Sequence, residues 1–445
     1  MKNEQSIFDK INNWIKNSVM LKLVTITILM LLLLIPLSMI FDIIQERENL
    51  NREVAEDINS KWANSQKITG PILTIPLIYQ YQNEDKIESI TRYWNILPEE
   101  LNITGIVNPK ILRRGIYEVA VYSSELNIEG YFDIPEQMEQ VGLKEILYNQ
   151  AFVTFGISDL RGIKNKIEFD WNGKVLSVNS GSKINSIIPS GINIQDLNIS
   201  EESKGKIHYN IKLSLQGSTN ISFSPLGSTS SVKLKSSWKS PSFKGTFLPD
   251  ERILDENGFE AQWTVLKLNR NFPQSWLGNS FLAEINASSF GVDLLIPADD
   301  YQKSNRSAKY GIMTIALTFL IFFLVEVINK RKIHPFKYAL VGLSLCLFYV
   351  LLVSLSEHLH FNTAYVLSSS SIVLMISLYS LSVFKAKKSS YLLVMALTGI
   401  YTFLFITLQI ADYALLIGSI GLTLILAITM YFTRNIDWYK LNIED

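Results

Sequence analysis

The chain has 445 residues, of which 48% are hydrophobic, with 41 Lys and Arg set against 41 Asp and Glu. That balance leaves no basic excess for a nucleic-acid partner, and a single cysteine excludes a disulfide-stapled scaffold. Positions 1–20 carry Lys2, Lys10 and Lys16 and lead into an apolar run over 21–41. That run is long enough to cross a hydrocarbon layer of about 30 Å as a helix rising about 1.5 Å per residue. No small-x-small site follows it, so it reads as an uncleaved anchor rather than a signal peptide. The stretch after it keeps apolar residues at Ile43, Ile44, Leu50, Val54 and Ile58, a helical period that predicts a stalk over 42–59.

Beyond the stalk the period shortens to two, and Ile, Val, Tyr, Phe and Thr dominate. Strands are predicted at 72–81, 116–122, 126–132, 151–157, 206–215, 220–224, 231–238, 259–268 and 290–295. The Asn172-Gly173 step between 167–171 and 174–178 predicts a type I′ hairpin, and Asn257-Gly258 is a second turn signal. The best helical candidate in this region is 136–148. Segments 181–203 and 225–230 read as loops and leave open a boundary near residue 200, although one domain is the simpler reading. The pattern predicts a mostly antiparallel, sandwich-like β domain over 42–309.

Five further apolar runs follow, at 310–328, 338–355, 363–384, 390–410 and 413–432. The fold class expected is therefore a membrane protein, an α-helical bundle of six transmembrane helices with a large mostly-β domain inserted between helices 1 and 2. Lys22, Lys330, Arg331, Lys332, Lys337, Lys385, Lys387, Lys388, Arg434 and Lys440 all fall on one side of such a bundle, whereas 356–362 and 411–412 carry no Lys or Arg. By the positive-inside rule both termini, including the 433–445 tail, are expected in the cytoplasm and the β domain in the periplasm. The 43–309 segment holds 28 basic and 32 acidic residues. The lone Cys346 lies within the third span, which leaves the outward domain without disulfides.

Catalytic signatures are absent: no G-x-G-x-x-G, G-x-x-x-x-G-K-[ST], H-E-x-x-H or G-x-S-x-G, and no cysteine pair for a metal. The expectation is no enzyme, no metal and no cofactor. The strongest chemical cluster is Glu357, His358 and His360 at the outward end of the third span, with Asp412 on the same side. It either relays a proton or binds a divalent metal, or ends a helix in interfacial water. Glu326, near the inner end of span two, is expected to reach water or to pair with Lys330 at i+4. Asp159 and Arg161, in a glycine-flanked turn, either form a local salt bridge or present an Arg fork to an anion. Trp238, Phe243, Phe247 and Trp263 line either a groove or the sandwich core. Arg434, Asp437 and Trp438 form a candidate clamp on the last helix at the headgroup level.

Several stretches, in order, resemble the CreD family of bacterial inner-membrane proteins: LIP at 34–36, GPILTIP at 70–76, SDLRG at 158–162, SPSFKGTFLP at 240–249, GFEAQW at 258–263 and PADDYQ at 297–302. The most specific are HPFKYALVGLSL at 334–345 running into LSEH at 355–358, and TRNIDWY at 433–439. The resemblance spans nearly the whole chain. It implies an inner-membrane protein of a Gram-negative bacterium linked to envelope integrity, colicin tolerance and β-lactam stress, under two-component control in some bacteria. It brings no reaction and no catalytic residues. His360 stands where the family pattern suggests a small or polar residue, which weighs against a family-wide metal site. The partners expected are the lipid bilayer and another inner-membrane or periplasmic envelope protein, with no nucleic acid. Two other functions are kept open. One is a transporter or channel for an envelope component through the C-terminal helices. The other is a membrane-embedded enzyme acting on lipid-linked or periplasmic substrates.

Overall fold

The computed structural model describes residues 19–83, 86–135, 141–200, 205–296, 300–328, 333–384, 387–410 and 413–434. The chain divides into two compact units, one built from Met1–Asn51 with Ala298–Asp445 and the other from Arg52–Pro297. Apolar helices, one near the N-terminus and a cluster at the C-terminus, enclose a large β-rich unit in the sequence, as the hydropathy pattern predicts.

The helices are α1 (Val19–Leu32), α2 (Leu34–Trp62), α3 (Leu282–Ala287), α4 (Asp300–Lys309), α5 (Gly311–Ile328), α6 (Pro335–Ser356), α7 (Phe361–Phe384), α8 (Lys387–Gln409) and α9 (Ala414–Thr433). Leu33 separates α1 from α2 without breaking the ladder, since its N–H reaches Leu29 at 3.0 Å and its carbonyl accepts from Leu37 at 3.2 Å. Pro36 has no N–H to give the Leu32 carbonyl, which accounts for the one-residue interruption at Leu33. Between α4 and α5 the axis bends by 44°. Pro335 opens α6 just after His334, whose Nδ1 accepts the Phe336 N–H at 3.2 Å, a proline-first start with a side-chain cap. Among the described residues five helices are long and apolar enough to cross a membrane, or six if the bent pair counts as one span.

In the helical unit α1 and α2 contribute Leu33, Leu37, Ile40 and Ile44 to a core shared with Phe319, Phe322, Tyr338, Leu345, Phe348, Tyr365 and Tyr401. Two glycines make this closeness possible. A Cβ on Gly342 would collide with Leu33, and one on Gly311 would lie 2.8 Å from Leu37. Lipid tails are as apolar as leucine, so close backbone approach and van der Waals contact have to replace hydrophobic exclusion between membrane helices.

The β unit is a sandwich. One sheet has ten strands, and its main path runs Pro241–Gly245, Phe290–Leu294, Asn220–Phe223, Gln66–Asn83, Phe152–Ile157, Gly191–Ile194 and Val178–Ser180. Lys86–Ile96 and Leu143–Ile146 also pair with Gln66–Asn83, and Ser275–Leu277 pairs with Lys86–Ile96. The other sheet has eight, ordered Glu251–Asp255, Gly258–Leu266, Thr229–Ser236, Glu100–Arg114, Tyr117–Asp133, Lys206–Ser218, Glu168–Trp171 and Lys174–Leu176. Pairing is antiparallel except between Gln66–Asn83 and Asn220–Phe223, and between Glu100–Arg114 and Thr229–Ser236. Trp263, fully buried on the eight-stranded sheet, meets Phe243 and Phe290 of the ten-stranded sheet with ring centroids 5.7 and 5.6 Å apart. Of the four aromatic residues singled out from the sequence, Trp263 is therefore core, and Trp238, Phe243 and Phe247 pack against that core half-buried.

Three differences from the sequence reading have identifiable physical causes. The strands expected at 116–122 and 126–132 are one strand, Tyr117–Asp133. Its polar middle stays in the ladder because Ser124 Oγ donates to the Leu215 carbonyl at 3.0 Å. The helix expected at 136–148 is contradicted where it is described: Leu143–Ile146 is a strand paired with Leu77–Tyr79, preceded by Gly142 at φ 85°. A glycine in that region of φ suits a turn, and a pairing partner distant in sequence overrides a weak local period. Lys86–Ile96 and Glu100–Arg114 carry too many polar residues to stand out as strands, yet each is a long ladder member. The Asn172-Gly173 hairpin forms with both residues at positive φ, 51° and 83°.

Replacing Trp263 with Ala should destabilise the β unit by about 3–5 kcal/mol, the cost of emptying a large aromatic site. The check is the denaturant midpoint of the full chain against a conservative Trp263→Phe control, which should recover most of the loss.

Candidate functional site

The most chemically pointed group in the helical unit lies where α1 begins, α5 ends and α6 begins. Glu326, in the last turn of α5, is fully buried. Its Oε1 forms an ion pair with Lys22 Nζ from the first turn of α1 and accepts the Ile333 N–H at 2.7 Å. Its Oε2 accepts the Tyr338 hydroxyl at 2.8 Å, from the first turn of α6. The Lys22 side chain is 16% exposed. Burying a carboxylate costs several kcal/mol, and only a counter-charge with hydrogen bonds on the remaining lone pairs offsets that. All three kinds of partner are present here.

This arrangement corrects the expectation for Glu326. The carboxylate is shut off from water, and Lys22 of the first span supplies a cation to it; Lys330 lies outside the described residues. The signal that could have found it was visible: an acid inside an otherwise apolar run is costly unless a charge of opposite sign meets it, and Lys22 opens the one other span with a cation just inside its boundary.

At the opposite end of the same helices the sequence-derived cluster is looser. Glu357 caps the C-terminus of α6, 15% exposed, with Arg47 Nε of α2 at 3.4 Å. His358 and His360 are exposed; the His360 carbonyl accepts the N–H groups of Thr363 and Ala364 and so starts α7. Among the described residues no three of His, Cys, Asp and Glu are grouped so as to hold a metal ion. Asp412 lies outside the described residues. A second polar link on this side joins α7 to α8, Gln409 Nε2 donating to Asn362 Oδ1 at 2.6 Å. Arg434 stacks 4.2 Å over the Tyr431 ring, whereas Asp437 and Trp438 lie outside the described residues.

In the β unit, Asp159 and Arg161 form a fastener. Asp159 caps the short turn Leu160–Gly162, its Oδ1 accepting the Arg161 N–H at 3.1 Å and Arg161 Nε at 2.9 Å, its Oδ2 accepting from Arg161 Nη2 at 2.5 Å and from the Asn64 N–H at 2.9 Å. Arg161 also donates to the Ser60 carbonyl near the end of α2. Gln66 Nε2 donates to the carbonyls of Asp159 and Gln216, each at 2.9 Å. The guanidinium fork is therefore turned toward the chain's own carboxylate and carbonyl groups. The Arg161 guanidinium, chiefly, holds the Asp159 carboxyl down at about 2, against burial, which would raise it.

One other buried cation was not singled out from the sequence. Arg270 donates to the carbonyls of Phe272 at 2.7 Å and Leu226 at 3.1 Å and to Gln274 Oε1 at 2.5 Å, stitching two loops of the β unit together. Burial lowers its guanidinium to about 10.

The family described as inner membrane protein CreD matches residues 18–439. The chain belongs to the CreD family. It is 34% identical over 419 residues to the inner membrane protein CreD of Escherichia coli strain K12, covering 93% of this chain and 92% of that one. The matched range runs through both units. Family membership makes this an inner-membrane protein, and the family's name denotes a location rather than a reaction.

Neutralising one partner of the buried pair, by Lys22→Met or Glu326→Gln, should cost stability, up to about 3–5 kcal/mol where an unpaired charge is left buried. The double variant should lose clearly less than the two singles added together, read as thermal midpoints in detergent. For Asp159, whose folded carboxyl sits below its ordinary value, the stabilisation is complete above about pH 4 and disappears as pH falls through about 2. Unfolding curves of wild type and Asp159→Asn should differ at pH 7 and converge on acidification across that window.

Proposed function

We propose that this CreD-family chain is a non-enzymatic envelope protein of the bacterial inner membrane. In this reading the helical unit anchors a β sandwich that acts by contact with membrane surface, glycan or another envelope protein. The observation that carries it is the buried Lys22–Glu326 pair, because it joins the helix that leads into the β unit to the helices that follow it. A domain entered from one fixed helix and left into another has a restricted reach, which suits work at the membrane face. The β unit adds support, since its singled-out polar pair, Asp159 and Arg161, is engaged in fastening its own chain.

The orientation belongs to the same proposal. Lys22, Lys337, Lys388 and Arg434 lie at one set of helix ends, and by the positive-inside rule this supports cytoplasmic termini and a periplasmic β unit. A Ser200→Cys substitution in a Cys346→Ser background should react with a membrane-impermeant maleimide in intact spheroplasts, and labelling only after lysis would reverse the assignment.

Deleting the gene should raise sensitivity to detergent, bile salt and β-lactams under envelope stress, and a full-length copy should restore tolerance. Unchanged sensitivity would remove the envelope role. A second reading, transport of an envelope component through the helices, draws on the same buried charge at Glu326. The two readings diverge in one variant: the Lys22→Met/Glu326→Gln double should complement the deletion if the pair only holds helices together, and should fail while folded and inserted if the charge itself does the work.

A further inference from the structure

α9 is apolar throughout, yet none of its described residues is buried within the chain. Between it, α5 and α8 lies a cavity of about 550 Å³. Its walls include Leu317 and Leu324 from α5, Met395 and Gly399 from α8, and Gly421 and Ile428 from α9. The one hydroxyl in the lining, that of Thr429, already donates to the Ile425 carbonyl at 2.8 Å. The lining therefore offers no free polar group, and whatever occupies the slot is apolar along its length.

Two further observations say what that is. The lining positions of α8, from Leu392 through Gly399 to Phe403, recur at helical spacing, and Lys388 continues the same face one turn beyond Leu392. Lys388 is exposed and stands at the end of α8 where α5 ends and α9 ends. An apolar slot that runs into one leaflet and is crowned by a lysine at its boundary matches a lipid with a hydrocarbon tail and an anionic head. A helix of a second copy would match the slot, but among the described residues at these helix ends the one carboxylate, Glu326, is enclosed and already paired with Lys22. Gly399 is open to the slot, since a Cβ there would meet nothing within 4 Å.

We infer that the groove between α5, α8 and α9 is a binding site for one acyl chain of an anionic phospholipid, drawn from the leaflet on the Lys388 side, with the lysine against its phosphate. The site is independent of the envelope reading and stands whether or not that reading does.

The test uses the full chain in nanodiscs of equal parts phosphatidylglycerol and phosphatidylcholine, released into detergent and weighed by native mass spectrometry. One retained phospholipid per chain is expected, with phosphatidylglycerol favoured about fivefold, the effect of one lysine at an anionic surface. Gly399→Leu projects a side chain into the slot from a position where its Cβ meets nothing within 4 Å, and should abolish retention while the thermal midpoint is kept. Lys388→Gln, on the surface and outside the packed helices, should retain a lipid but lose the preference. The proposal is overturned if the wild type retains no lipid, if it retains a polyprenyl lipid or a second chain instead, if Gly399→Leu retains lipid like the wild type, or if Lys388→Gln keeps the preference.

Discussion

The enclosed carboxylate of Glu326 is the constraint on which the helical unit depends. α1 and α5 are separated in the chain by the entire β unit, and between apolar helices in lipid no hydrophobic force selects one contact over another. A buried charge does select, because every arrangement that leaves it without Lys22, Tyr338 and the Ile333 N–H is costly. Gly342 and Gly311 then let Leu33 and Leu37 close on the later helices, so polar specificity and steric fit act on the same pair of elements.

The β unit solves a different problem, that of joining strands from both halves of a 246-residue segment, Arg52–Pro297, around one core. Its two parallel pairings do this. Gln66–Asn83 lies beside Asn220–Phe223, and Glu100–Arg114 beside Thr229–Ser236, so each sheet needs strands from both sides of residue 200. That interleaving leaves no boundary there. The Asp159 turn adds a tie at the point where the chain changes from helix to strand, through the Ser60 carbonyl, the Asn64 N–H and the Gln66 side chain.

Polar residues in this CreD-family chain therefore divide by what surrounds them. Glu326 and Arg270 are enclosed and hydrogen-bonded, each with at least one partner from a distant segment, Lys22 for Glu326 and the Leu226 carbonyl for Arg270. Glu357, His358, His360 and Arg434 lie at helix ends, where water or headgroups share the work and a single ion pair is worth little. The groove beside α9 is the converse case, an apolar surface that no described residue covers.

Hydropathy and period alone determined the apolar spans, the β-rich insert and the Asn172-Gly173 hairpin, because each depends on neighbours within about one element's length. The order of motifs from LIP at 34–36 to TRNIDWY at 433–439 likewise carried the family without any fold. Only the tertiary structure decided that Leu143–Ile146 is a strand and that Tyr117–Asp133 is one strand rather than two, since both follow from partners far along the chain. It also decided that Glu326 meets Lys22, and that the Asp159–Arg161 pair is spent on the chain's own backbone. Local pattern reports what a segment can do, whereas a buried charge or a polar strand takes its final place from whatever the rest of the fold brings against it.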